Sequence, residues 1–161
     1  MDFSAKNIPQ TPPKGLLLDF GSVISVSIFE RHRETEKILG LAAGSLNWLG
    51  PVDPSTDALW QSMQRDEITE RDYWAVRANE LGKLVGENDW DVLTMLHRIR
   101  QTNPNEVVRP QVNQLIAAAT RQGIKVGILS NELELFYGNE FLSKMDILKD
   151  MVTIVDATHP E

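Results

Sequence analysis

Two short stretches of the 161-residue chain place reactive groups directly after apolar runs. The first is Gly15-Leu16-Leu17-Leu18-Asp19, followed by Phe20-Gly21-Ser22. A carboxylate can attack phosphorus or carbon and form a covalent intermediate that water then cleaves, provided it is exposed, fixed and aimed. The end of a buried strand before a glycine-containing turn meets those needs. Gly21 lets the backbone come close to a ligand, and the N–H groups of the turn could hold an anion. The plainer reading is that Asp19 caps the turn. The second stretch is Lys125 to Leu129, followed by Ser130-Asn131. A hydroxyl and an amide at a strand end can donate hydrogen bonds to a phosphoryl or carboxylate oxygen. The plainer reading here is a turn or a helix cap.

These groups need elements to position them. The unbroken apolarity of Gly15 to Phe20 suggests a strand covered on both faces, as in a parallel sheet. Residues 28–106 read as helical. Ile28 to Leu39 is a charged amphipathic helix ending at Gly40, and Asp57 to Arg65 is a second helix. Thr69 caps a third that runs to Leu81, with Asp72 in its first turn and Gly82 after it. Asn88 or Asp89 caps a fourth through Arg100, with Trp90, Val92, Leu93, Leu96 and Ile99 as its apolar stripe. Asn103-Pro104-Asn105 breaks the pattern. Pro110 opens a helix to Gln122, which Gly123 ends. Lys125–Leu129 is a second strand, 139–148 a helical stretch, and Val152–Val155 a third strand. The chain is therefore α/β. In open α/β sheets ligands bind at the carboxyl ends of the strands, which links Asp19 to Ser130-Asn131.

Composition narrows the partners. The apolar fraction is 42%, the charged fraction 24% and the net charge -7. Lys and Arg are scattered, so a basic footprint for nucleic acid is missing. Apolar runs fall short of the ~20 residues that cross a bilayer. With no cysteine there can be no disulfide or thiolate metal site, which fits the cytoplasm. A small anionic substrate is the expected partner.

Taken together, the two stretches resemble known motifs. Gly15 to Ile24 resembles the first motif of the haloacid dehalogenase superfamily, and Ile124 to Asn131 its second. Val107-Val108-Arg109-Pro110 and the helix to Gly123 resemble the usual approach to that second motif. The helical insertion is similar to the superfamily's cap, Asp66 to Trp74 being typical. The resemblance covers about residues 15–159. It implies a Rossmann-like parallel core over 15–27 and 107–161, a helical cap over 28–106, and a flexible leader over 1–14. It also implies a hydrolase with Asp19 as covalent nucleophile and Mg²⁺ held by Asp19 and the carbonyl of Gly21. Ser130 would bind the transferring group, Asn131 would line the site, and Phe20 and Gly21 would add backbone donors.

The sequence departs from the family in two ways. Its phosphatases carry an Asp two residues after the nucleophile as general acid and base, where this chain has Gly21, which cannot protonate a leaving group. The family's lysine and acidic metal pair are also missing before Glu161. Without a fourth strand the first has an open edge beside Asp19, which suggests first a fragment of a longer protein, and otherwise strands supplied by self-association or a partner chain, or a decayed fold. The expected activity is a Mg²⁺-dependent phosphatase of a small metabolite. The alternatives are a carbon–halogen hydrolase and a non-catalytic binding module.

Other residues carry less. Trp48, Trp60, Trp74 and Trp90 could line an apolar pocket, but packing between helices is the simpler role. His32, His97 and His159 are isolated, with no metal-site spacing.

Overall fold

The computed structural model describes residues 13–100, 103–131 and 133–157. The expected leader lies outside this range through residue 12, and so do the last four residues, including His159. Among the described residues no helix is long and apolar enough to cross a membrane. The chain forms two compact units. One joins the residues up to Ser25 with those from Val108 onward, and the other is Val26–Val107.

The first unit is α/β. Strands β1 (Gly15–Asp19), β2 (Lys125–Ser130) and β3 (Thr153–Asp156) form a parallel sheet in the order β1-β2-β3. Leu16 pairs with Val126 and Asp19 with Leu129; Leu129 pairs in turn with Val155. Helix α5 (Pro110–Arg121) precedes β2 and packs on it. Pro110 stands in its first turn, and Gly123 (φ +74°) follows its end. Val126 and Ile128 are buried, as are Ile116 and Ala119 of α5.

Strand β1 is less buried than its leucines suggest. Gly15, Leu17 and Asp19 are exposed, and Leu16 and Leu18 are half-buried. The reason is its position: β1 pairs with β2 alone among the described strands, and the face that carries Leu17 is exposed among the described residues. The expectation of burial on both faces fails for that strand, whose other edge pairs with no described strand. The single helical stretch expected over 139–148 is two short pieces, α7 (Asn139–Leu142) and a tight helical turn at Asp146–Asp150, and a further short helix, α6 (Leu133–Tyr137), precedes them. Gly138, at φ +73°, separates α6 from α7.

The second unit is helical: α1 (His32–Leu39), α2 (Ala58–Gln64), α3 (Glu70–Leu84) and α4 (Val92–Arg98). Gly40 ends α1 in the left-handed conformation (φ +68°), where glycine has no Cβ penalty. Thr69 and Asp72 cap α3 reciprocally. Helix α3 runs through Gly82, because that glycine has ordinary helical surroundings and lets the Trp90 ring lie against it; an added Cβ would come 2.8 Å from that ring. The cap of α4 is Asp91, whose carboxylate accepts from the N–H of Thr94 at 2.7 Å. Asn88 and Asp89 lie one loop earlier. Leu93 is exposed, and Met95 takes the buried position instead.

Candidate functional site

Asp19 is the last residue of β1. Because it pairs with Leu129, Ser130 lies one residue further along the neighbouring strand. The two thus share the carboxyl end of the sheet. Their side chains do not share a face. Successive residues of a strand point to opposite sides, so Asp19 stands with Leu129 and Val155 on the open face. Ser130 is on the covered face beside its partner Asp156, only 8% exposed. Asn131, just past β2, is exposed.

The chain leaves Asp19 through a single wide turn, Phe20–Ile24. The N–H of Ser25 donates to the carbonyl of Phe20 at 2.9 Å and closes it. Phe20 anchors the turn: it is 1% exposed and meets the Tyr137 ring edge-on at 5.1 Å. Burying a large aromatic beside an exposed carboxylate is a direct way to fix that carboxylate's backbone. The left-handed residue of the turn is Ser22 (φ +61°), whereas Gly21 has φ -63°. Glycine is therefore not required at position 21 by conformation, and a Cβ there would meet nothing within 4 Å.

The sequence placed Arg109 only in the approach to the second motif, yet it also holds this turn. Its N–H donates to the carbonyl of Ile24 at 2.9 Å, and its guanidinium Nη2 donates to the carbonyl of Ser22 at 3.2 Å. A short sequence signal existed: Arg109 precedes the helix-opening Pro110, so its extended backbone could have been foreseen. Its pairing with a turn 87 residues away could not. Asp156 also has a defined task. Its two carboxylate oxygens accept from the N–H groups of Leu133 (3.2 Å) and Glu134 (2.7 Å), at the start of α6. An anion suits those otherwise unpaired helix N–H groups.

For Mg²⁺, the donors at the turn are the Asp19 carboxylate and the Gly21 carbonyl. Both are hard oxygens, and Mg²⁺ is commonly held by one or two carboxylates together with substrate phosphate and water. The donor chemistry fits that sparse mode. No group of three or more acidic, His or Cys residues suited to a metal occurs among the described residues.

An open groove of about 560 Å³ lies beside β3, lined in part by Leu133, Asn139, Leu142, Met145, Ile154 and Asp156. It includes neither Asp19 nor Ser130.

The helical unit holds a second set of buried ionisable groups. The Asp57 carboxylate accepts from the N–H of Trp60 (2.8 Å), the hydroxyl of Tyr73 (2.8 Å) and the guanidinium of Arg77. Burial pushes Asp57 up, but these donors together hold it below the usual carboxylate range. Burial, then the bond to Asp57, pushes the Tyr73 phenol up. Arg77 lies over the rings of Trp48 and Tyr73 at 4.9 and 5.2 Å. His32 meets Trp48 edge-on at 4.4 Å. Phe29 touches Trp48, Trp60, Tyr73 and Trp74. Trp48, Trp60 and Trp74 therefore pack this core, and Trp90 is buried against α3. The carboxylate of Asp57 is occupied by its neighbours, so the cluster serves packing.

In comparisons with known proteins, no family model and no curated protein matches the chain.

Proposed function

We propose that this protein belongs to a hydrolase of the haloacid dehalogenase type, with a Rossmann-like core, a helical cap at Val26–Val107, and Asp19 as covalent nucleophile. The observation that carries this reading is an exposed carboxylate at the carboxyl end of a parallel strand, held by a buried Phe20 and a turn clamped by Arg109. That is where open α/β sheets bind ligands.

The favoured substrate is a small phosphorylated metabolite. An Asp19 oxygen would attack phosphorus, forming a P–O bond as the ester oxygen leaves. Water would then attack the phosphorus and regenerate the carboxylate. The N–H groups of the turn after Asp19, with Ser130 and Asn131 at the end of β2, would bind the phosphoryl oxygens. For Ser130 this requires the end of β2 to rearrange when substrate binds, since its short side chain lies on the covered face, 8% exposed, and is turned from Asp19. Mg²⁺ at Asp19 and the Gly21 carbonyl would neutralise charge on the phosphate.

Gly21 supplies no proton to the leaving group, which favours substrates that leave as anions. That supports carbon–halogen hydrolysis as the second reading, because a halide needs no proton. The deciding experiment compares phosphate release from an aryl phosphate with halide release from a 2-haloacid, with and without Mg²⁺. Mg²⁺-stimulated phosphate release that Asp19→Asn abolishes supports the first reading. Metal-independent halide release that the same change abolishes supports the second. Neither activity, with ligand binding retained in Asp19→Asn, would leave a binding module.

A further inference from the structure

Ser22 is the strained point of the turn that leaves Asp19. It has φ +61° and ψ -3°, in the left-handed region. A Cβ disfavours that region, and glycine, Asn and Asp are its usual occupants. Asp66 and Asp89, the other non-glycine residues with positive φ among those described, are of that kind. Ser22 is not. A residue in such a conformation persists only where its surroundings over-determine it, and such residues gather at functional sites.

Packing does not hold Ser22, because it is exposed. Two side chains do. The N–H of Ser22 donates to Oγ of Ser25 at 3.3 Å, and its carbonyl accepts from Nη2 of Arg109 at 3.2 Å. Both backbone polar groups of the left-handed residue are thus bound to side chains. Each holder is itself fixed. Ser25 is buried, closes the turn on Phe20 through its own N–H, and pairs with Val108 in an antiparallel bridge. The N–H of Arg109 donates to the carbonyl of Ile24, which is fully buried. The Ser25 bond is local, made within three residues. Arg109 is the long-range hold, reaching the turn from the entry to α5.

We propose, on the reading of Asp19 as nucleophile, that Arg109 is a positioning residue for it. The guanidinium keeps Ser22 left-handed and so fixes the backbone turn that starts at Asp19, with the N–H groups that follow it. The hold falls on the carbonyl of Ser22, three residues past Asp19, and Asp19 remains exposed for a substrate. The strain has a specific consequence. Glycine adopts the left-handed conformation without a Cβ penalty, so a chain carrying Ser22→Gly needs the guanidinium less.

Arg109→Ala in the full chain tests this with two readouts, since it deletes the guanidinium and keeps the N–H that holds Ile24. Amide hydrogen exchange at Ser25, which closes the turn, should speed up by about tenfold, equal to about 1.4 kcal/mol. Adding Ser22→Gly should recover part of that protection. With an aryl phosphate as substrate, kcat should fall by about tenfold or more in Arg109→Ala. Ser22→Gly in the same chain, or millimolar guanidinium added to Arg109→Ala, should restore part of the rate. A rate lost through unfolding alone would not respond to guanidinium, and far-UV circular dichroism checks that each variant stays folded. Unchanged exchange at Ser25 or unchanged turnover in Arg109→Ala overturns the proposal. So does a lost rate that neither Ser22→Gly nor guanidinium relieves. Faster exchange in Arg109→Ala, with no turnover in the unmodified protein, would sink the reading of Asp19 itself and the positioning role with it.

Discussion

Asp57 and Arg77, twenty residues apart in sequence, form an ion pair inside the helical unit in which the Asp57 side chain is fully buried and that of Arg77 nearly so. The pair joins the start of α2 to the middle of α3. Its value lies in mutual need: a buried carboxylate that loses its cation keeps its desolvation cost. Arg77→Met should therefore destabilise the unit by about 3–5 kcal/mol, and adding Asp57→Asn should recover part of the loss. Urea unfolding followed by tryptophan fluorescence measures this, because all four tryptophans lie within residues 26–107. A loss under about 1 kcal/mol would rank the pair with exposed ones and contradict its assigned role.

His32 gives the unit a pH limit. Burial is the leading cause that lowers it from 6.5, so the folded protein keeps it neutral where the unfolded chain takes a proton. The unfolded state then binds more protons, and stability falls with falling pH. His32's contribution is complete above pH 6.5 and is lost as pH drops from there toward its lowered folded value. Glu36 and Asp57 are also lowered, so their contributions hold above 4.5 and 3.8 and are lost below. The acid side should show two separate declines. His32→Leu should flatten the one nearer neutrality and leave the one below pH 4.5 in place. An unchanged profile in that variant would show that another group titrates there.

Gly21 offers a gain-of-function test. Its φ of -63° suits any residue, and a Cβ there meets open space. Gly21→Asp would place a carboxyl group two residues after Asp19, where it can protonate a leaving group. General acid catalysis contributes about 100-fold or more. Hydrolysis of alkyl phosphates, whose leaving groups need a proton, should rise by about that factor. Hydrolysis of activated aryl phosphates should change far less. Equal effects on both classes of ester would show that the new carboxyl group does not act as an acid.

The sequence made some of this visible and hid the rest for physical reasons. Local signals worked well. Thr69 with Asp72, Pro110 and the glycines at 40 and 123 mark helix ends, because capping is decided within a few residues. The α/β order was legible from apolar runs and punctuation. Burial was not: three leucines before Asp19 look the same whether a strand is central or at an edge, and only pairing decides. The same limit hid Gly82, whose place inside α3 depends on the Trp90 ring. At the candidate site the shared sheet end of Asp19 and Ser130 could be inferred from topology. Their opposite faces depend on a one-residue stagger in register, and the Arg109 contact depends on tertiary folding.

The covalent role proposed for Asp19 is tested most directly by the intact mass of the protein, quenched in acid during turnover of an aryl phosphate. The expected result is a fraction of the chain heavier by one phosphoryl group, carried on the peptide that contains Asp19 and absent from Asp19→Asn. Turnover in Asp19→Asn at the unmodified protein's rate, with no phosphorylated chain in either, would contradict it.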